Sequence, residues 1–186
     1  MADYRRWFVP GGTFFFTVVT RGRARWLCSE PARRILSACL REAKAAWPFH
    51  IDAIVLLPDN LHAIWSLPPG DDAYSARWAW IKKEFTKRWL AAGGKERAIS
   101  EKRRQRGDRG VWQPRFWEHT IENDADFDRH FDYVHYNPVK HGLAKSPIDW
   151  PWSSFHRWAA AGVYDANWGR SAIPDTLSDL DATAME

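Results

Sequence analysis

Apolar positions change period several times along the chain, and each change marks an element. Phe14-Phe15-Phe16-Thr17-Val18-Val19 is aromatic and β-branched without alternation, which predicts a strand over Thr13–Thr20 buried on both faces. Pro31 stands where a first helical turn tolerates it, and Ile35, Cys39, Ala43 and Ala46 continue a helix to Trp47. Between Ile51 and Trp65 two apolar strands are joined at Pro58-Asp59, and Pro68-Pro69-Gly70 ends the second. Asn60 and His62, two positions apart, project from one face of that second strand. Ala76 to Leu90 reads as a basic amphipathic helix stopped by Gly93-Gly94, and Phe116 to Ile121 as a fourth strand.

The next pattern is the richest. Asn123 or Asp124 caps a helix from about Ala125, with Phe127, Phe131 and Val134 as its buried stripe. A second stripe, Asp126, His130, Tyr133 and Asn137, also advances by three and four. At roughly 100° per residue it lies about a quarter turn from the first, which predicts a position between core and solvent. Tyr136 falls opposite Phe127, facing solvent or a C-terminal extension. Pro138 predicts the end of the helix and Gly142 closes it. That extension begins at Ser146 and packs through Trp150, Trp152, Phe155 and Trp158. By itself, a helical tyrosine is more often a packing group than a chemical one.

The order β-α-β-β-α-β predicts an α+β fold: a ferredoxin-like antiparallel sheet with helices on one face and the tyrosine-bearing helix appended. The first and third strands are then central, which puts Asn60 and His62 in mid-sheet. With 186 residues the chain is expected to form one domain over 1–170, with a basic loop at about 93–110 and a disordered tail at 171–186. Thirteen tryptophans and ten phenylalanines supply the core, and 27% charged residues predict solubility. No apolar run approaches a membrane span, and Phe14 to Val19 is too short for a secretory signal. Cys28 and Cys39 lack metal-ligand spacing and make no disulfide framework, so the expected compartment is a reducing cytoplasm.

Charge changes the picture. The net charge is only +4, yet Ser75 to Arg115 holds thirteen Lys or Arg against four Asp or Glu, a local +9. Trp78, Trp80, Phe85, Trp89 and Trp112 are interleaved with those charges. Basic groups for the backbone and aromatic surfaces for unpaired bases point to single-stranded nucleic acid. Trp78 and Phe85, seven apart, are better read as core. Lys102-Arg103-Arg104-Gln105-Arg106 has nothing apolar to bury and reads as a mobile phosphate-contacting loop. A hydrolase unrelated to nucleic acid is disfavoured, since no paired carboxylates, Gly-rich phosphate loop or Ser-His-Asp set is present.

Pro58-Asp59-Asn60-Leu61-His62 and Tyr133-Val134-His135-Tyr136-Asn137-Pro138-Val139-Lys140 together resemble the REP-associated tyrosine transposases of the HUH nuclease superfamily. That family carries P-x-H-x-H on a central strand and Y-[IV]-H-x-N-P-V-[KR] on a following helix. Further matches are Tyr4-Arg5-Arg6, Gly110-Val111-Trp112-Gln113, Arg115-Phe116-Trp117-Glu118-His119 and Trp150-Pro151-Trp152-Ser153-Ser154-Phe155, so the likeness spans roughly residues 3 to 170. It implies a metal-dependent single-stranded DNA endonuclease and strand transferase acting on REP-type hairpins through a 5′-phosphotyrosine intermediate. Tyr133 is then the nucleophile, and Asn60, His62 and Asn137 hold Mg²⁺ or Mn²⁺. His130, on the polar face, reads equally as an outer group of the site or as a surface histidine, and His135 and His141 are expected close by. His119 is expected to pack on Trp117 rather than meet phosphate. Tyr4, Arg5 and Arg6 would read a tetranucleotide beside the hairpin. Lys82, Lys83, Lys102, Arg103, Arg104 and Arg115 are the remaining DNA-contact candidates, in a monomer or weak dimer.

The chemistry explains the residue types. A phenol of pKa near 10 must lose its proton in place to attack phosphorus, and the transition state gathers negative charge that a divalent cation offsets. One departure matters: the family's first histidine is Asn60 here. Its carbonyl oxygen suits Mg²⁺ or Mn²⁺ but is a weaker donor than imidazole for transition metals. Three readings stay open at this stage: a working variant, a decayed enzyme that only binds structured single-stranded DNA or RNA, or a substitution made to stop cleavage. The expectation is weakened cleavage with DNA binding kept, because the basic surfaces are untouched.

Overall fold

A computed structural model describes residues 9–177. The strands are β1 (Thr13–Val19), β2 (His50–Leu56), β3 (Asn60–Ser66) and β4 (Trp117–Thr120). The helices are α1 (Glu30–Ala46), α2 (Tyr74–Ala91), α3 (Glu101–Gln105), α4 (Asp124–Lys140) and α5 (Phe155–Ala160). The sheet order is β2-β3-β1-β4, with every pairing antiparallel. The expected ferredoxin-like α+β arrangement is therefore present, with β1 and β3 central.

The pleat of the central strands decides what each face buries. Phe14, Phe16 and Val18 of β1, with Leu61, Ala63 and Trp65 of β3, point to the layer made by α1 and α2. Their packing includes a Trp65–Trp78 stack with centroids 4.2 Å apart. Phe15 and Ile64 point the other way, onto Phe131, Tyr133 and Val134 of α4. Both faces are covered, which is why β1 reads as a continuous apolar run. Trp78 and Phe85 are core, as expected. Trp89 and Trp112 are largely buried as well, so they offer little surface to unpaired bases.

Local signals set the element ends with some corrections. Asn123 caps α4, its side chain accepting from the Asp126 amide at 3.0 Å. Pro138 does not stop this helix, which runs on to Lys140. Proline's fixed φ suits a helix, and this one lies only two residues from the end, so a single lost N–H bond is the cost. Gly142, at φ 64°, closes α4 in a Schellman motif: the Gly142 amide donates to Val139 O and the Leu143 amide to Pro138 O. The basic loop is partly helical at α3, with Arg103 paired to Asp108 and Arg109 to Glu96.

The C-terminal extension covers the outer edge of β2. Leu56 donates to Trp152 O, Ser154 donates to Ile54 O, and the Trp150 indole donates to Leu56 O. This pairing hides an edge that would otherwise invite another strand. Residues 171–177, expected as tail, contain a turn of 3-10 helix in which Thr176 bonds Asp132. Residues 178–186 lie outside the described part.

Candidate active site

The polar stripe of α4 faces the sheet and is buried, not at the boundary with solvent. Tyr133 is 2% exposed and Asn137 0%. The cause is the close seat of α4 on Phe15 and His62, with the C-terminal extension packed along its other flank.

His62 faces α4 from mid-sheet and is itself 0% exposed. Thr17, its cross-strand partner on β1, places Oγ1 2.9 Å from Nδ1, and the Asn60 side-chain nitrogen lies 3.0 Å from Nε2. Burial pushes the His62 pKa down to about 3, helped by the positive charges of His141, Lys140 and Arg23. The ring is thus neutral at physiological pH. With Nδ1–H donated to Thr17, the Nε2 lone pair is left for Asn60 or for a cation, the usual arrangement of a histidine ligand.

The Tyr133 ring meets the His62 ring edge to face at 5.3 Å. The Lys140 ammonium lies 3.5 Å from the Tyr133 hydroxyl and 5.1 Å from its ring centroid. Lys140 had no role assigned from the sequence beyond its place in the motif. Its position seven residues on, two helical turns along the same face, was the available signal. Asn137, one turn above Tyr133, has neither side-chain polar atom hydrogen-bonded within the described residues, although the residue is fully buried.

An orphaned buried amide is expensive. Here it sits on the same seam as a neutral imidazole and a second amide. Such a donor set would suit a hard divalent cation: Asn137 and Asn60 could offer carbonyl oxygens once their amides are suitably turned, and His62 could offer Nε2.

The remaining sequence candidates separate into three groups. His130 lies on the seam but toward the N-terminal end of α4, against Phe15 at 5.0 Å. His135 is turned away from the seam: its Nε2 is 2.8 Å from Ser154 Oγ and its Nδ1 3.1 Å from the Tyr164 hydroxyl. It fastens α4 to the extension, so the expectation that it sits by the tyrosine is corrected. Residues two apart on a helix, such as Tyr133 and His135, point to nearly opposite sides. Tyr136 packs on Trp168 of the extension at 6.2 Å. Tyr4, Arg5 and Arg6 lie outside the described residues.

Of the basic candidates, Lys83, Lys102, Arg104 and Arg115 are exposed, while Arg103 is engaged with Asp108. Lys82 donates to the Gln113 and Pro114 carbonyls at 2.6 and 3.2 Å. Lys82, Lys83, Lys87 and Arg103, with Arg21, line a cleft of about 680 Å³ beside α2. Arg21 follows the end of β1 that pairs with Asn60, so this cleft opens at the Asn60 end of the sheet.

Comparison with known proteins agrees with this arrangement. The chain is 44% identical over 168 residues to the REP-associated tyrosine transposase of Escherichia coli, covering 90% of this chain and 91% of that one. The chain belongs to the REP-associated tyrosine transposases. A Haemophilus influenzae relative named for the same family is 41% identical over 170 residues, with 91% and 94% covered. A solved REP-associated tyrosine transposase bound to a REP hairpin superposes with a TM-score of 0.77 at 40% identity, covering 98% of this chain and 96% of that one. No family model matches the chain. In this transposase fold the motif tyrosine, histidine and asparagine thus meet on one seam between α4 and the central strands.

Proposed function

We propose that this transposase cuts and rejoins single-stranded DNA beside REP-type hairpins, with Tyr133 as nucleophile and a divalent cation, Mg²⁺ or Mn²⁺, bound by His62, Asn137 and Asn60. One observation carries the reading. The Tyr133 hydroxyl has a lysine ammonium 3.5 Å away and a neutral histidine ring against it, one helical turn from an unpartnered buried amide.

Each residue has a physical task. Lys140 favours the phenolate over the phenol and faces the charge that builds on phosphate. Tyr133 Oη bonds to phosphorus as the bond to the 3′ oxygen breaks, leaving a 5′-phosphotyrosine and a free 3′ hydroxyl. Attack by another 3′ hydroxyl reverses the step and returns the phenolate. Thr17 holds the His62 tautomer, and the rigid seam keeps Tyr133 and Asn137 in fixed register. The bound cation would supply charge neutralisation and orientation at the scissile phosphate. Exposed bases on α2 and α3 would carry the backbone of a single-stranded flank or hairpin, the partner that the complexed relative supports.

A second reading has its own observation. The Asn60 side-chain nitrogen already satisfies His62 Nε2 at 3.0 Å, so the family's ligand pair closes on itself. A protein in this state would bind structured single-stranded DNA without cleaving it. Incubation with a labelled REP-type hairpin and Mn²⁺ distinguishes the two. The first reading expects a covalent protein–DNA adduct lost in Tyr133→Phe and kept in Tyr136→Phe. No adduct from the parent chain or from Asn60→His, with binding intact, would leave only the second.

A further inference from the structure

At the N-terminal end of α4, away from Asn60 and His62, three side chains form a compact cluster. His119 comes from β4; Asp126 and His130 come from the first turns of α4, one helical turn apart. One ligand atom from each lies within 4.8 Å of the others. His119 Nε2 is 2.8 Å from Asp126 Oδ2, and His130 Nδ1 is 3.1 Å from Asp126 Oδ1. The two imidazoles stack at 4.5 Å with planes 13° apart. Ligands about 2.0–2.2 Å from a tetrahedral zinc-class ion stand a little over 3 Å from one another, and His119 Nε2 and Asp126 Oδ2 already lie close to that spacing.

Two observations set the cluster apart from an ordinary capping network. His130 is 3% exposed and its Nε2 has no hydrogen-bond partner among the described residues, while Nδ1 lies 2.9 Å from the Asp126 carbonyl. A buried ring nitrogen without a partner calls for an explanation, and an ion is one. The Asp126 carboxylate is also buried, and Arg129, 3.7 Å away and half exposed, is a weak partner for it. Burial works to raise the Asp126 pKa, but the Glu122 amide and the His119 ring outweigh it and hold the carboxyl below its usual range. Burial likewise lowers the His130 pKa.

We propose that His119, Asp126 and His130 form a second metal site, for a borderline transition ion of the zinc class, which braces β4 against the start of the tyrosine helix. Two imidazoles and one carboxylate are the donor set such ions prefer, whereas Mg²⁺ favours oxygen ligands and competes poorly for a site with two imidazoles. His119, with its side chain 32% exposed, leaves a solvent-facing position for a fourth ligand. Phe15 lies between this cluster and the tyrosine, with ring centroids 5.0 Å from His130 and 5.9 Å from Tyr133. The ion would therefore set the seat of α4 and take no part in phosphoryl transfer.

The test is a Co²⁺ titration of the full chain in excess Mg²⁺, which occupies the hard-cation site proposed at Asn60, His62 and Asn137. The proposal expects one equivalent of Co²⁺ with visible d–d absorption, replaceable by Zn²⁺. Affinity should fall by at least about the 10–100-fold that loss of an outer-shell partner costs in His119→Ala, whose partly exposed ring leaves the core intact, and in isosteric Asp126→Asn. Zn²⁺ should raise the Tm of the parent chain and leave both variants unmoved. Co²⁺ uptake that Mg²⁺ displaces, that both variants retain, or that never reaches one equivalent would each overturn it. None of these outcomes depends on DNA cleavage.

Discussion

Asn60 donates its amide to His62 Nε2 at 3.0 Å, so two groups proposed to share a cation already satisfy each other. Replacing this amide by imidazole supplies a stronger donor to Mn²⁺. Asn60→His should raise Mn²⁺ affinity and adduct formation together, with hairpin affinity unchanged. Calorimetry and an adduct assay check this, and an unimproved variant would remove position 60 from the ligand set. On that background Lys140→Gln should slow adduct formation about tenfold or more near neutral pH and move the rise of the pH–rate profile upward, because a cation within 4–6 Å shifts such a group by roughly 1–3 units. A drop in rate with an unmoved profile would assign Lys140 to phosphate binding instead. That Tyr133 and Asn137 share one face of α4 and that His62 sits in mid-sheet was legible, because helix periodicity and strand order fix those placements. Lys140 was not, since its role depends on how a long side chain folds back along two turns. His135 was misplaced through nearness in sequence, although its angle on the helix already turned it away from Tyr133.

α4 is held from both sides, and this explains why its polar stripe is buried. Sequence periodicity gives the angle between stripes but not how many neighbours surround a helix. The extension could be read as a tryptophan-rich segment, yet its path along β2 and α4 depends on long-range pairing. His135 is the fastener, bound to Ser154 and Tyr164, and Ser154 Oγ in turn accepts from the Ile54 amide at 2.8 Å. Tyr164 donates onward to Asp132 at 2.6 Å. Burial depresses the His135 pKa to about 3, below the roughly 6.5 of an unfolded histidine. The unfolded chain therefore binds the extra proton first. This contribution to stability is complete above about pH 6.5 and is lost as pH falls toward 3. His135→Gln should lower the pH slope of unfolding free energy by up to about 1.4 kcal/mol per pH unit in that window. Denaturant unfolding between pH 4 and 7 measures it; an unchanged slope would mean that His135 is protonated in the folded protein. His62 is depressed in the same sense, so part of the slope should survive.

For the molecule as a whole, the charge asymmetry was legible and its aromatic half was not. The +9 segment is a surface, but Trp78, Trp89 and Trp112 turn inward to the α1–α2 layer, because an aromatic every seven or eleven residues fits a core stripe as well as a stacking platform. Trp80 stays half-buried, and the exposed groups are cationic: Lys83 and Lys87 on the cleft beside α2, and Arg104 and Arg115 nearby in the chain. Binding that rests on such groups works through counterion release, so log affinity for a single-stranded REP-type oligonucleotide should fall linearly with log salt. It should do so without divalent metal, since no proposed ligand is needed for backbone contact. Lys83→Ala and Lys87→Ala should each reduce the slope by about 0.7, the value for one phosphate on a single strand. Lys82→Ala should behave differently. Its ammonium is bound to the Gln113 and Pro114 carbonyls, so the variant should lose thermal stability while keeping most of the slope. Titrations between 50 and 300 mM salt read the three variants together. A slope near zero for the parent chain would dismiss the basic cleft as the DNA surface, and a full-sized slope loss in Lys82→Ala with stability intact would place that amine on phosphate instead.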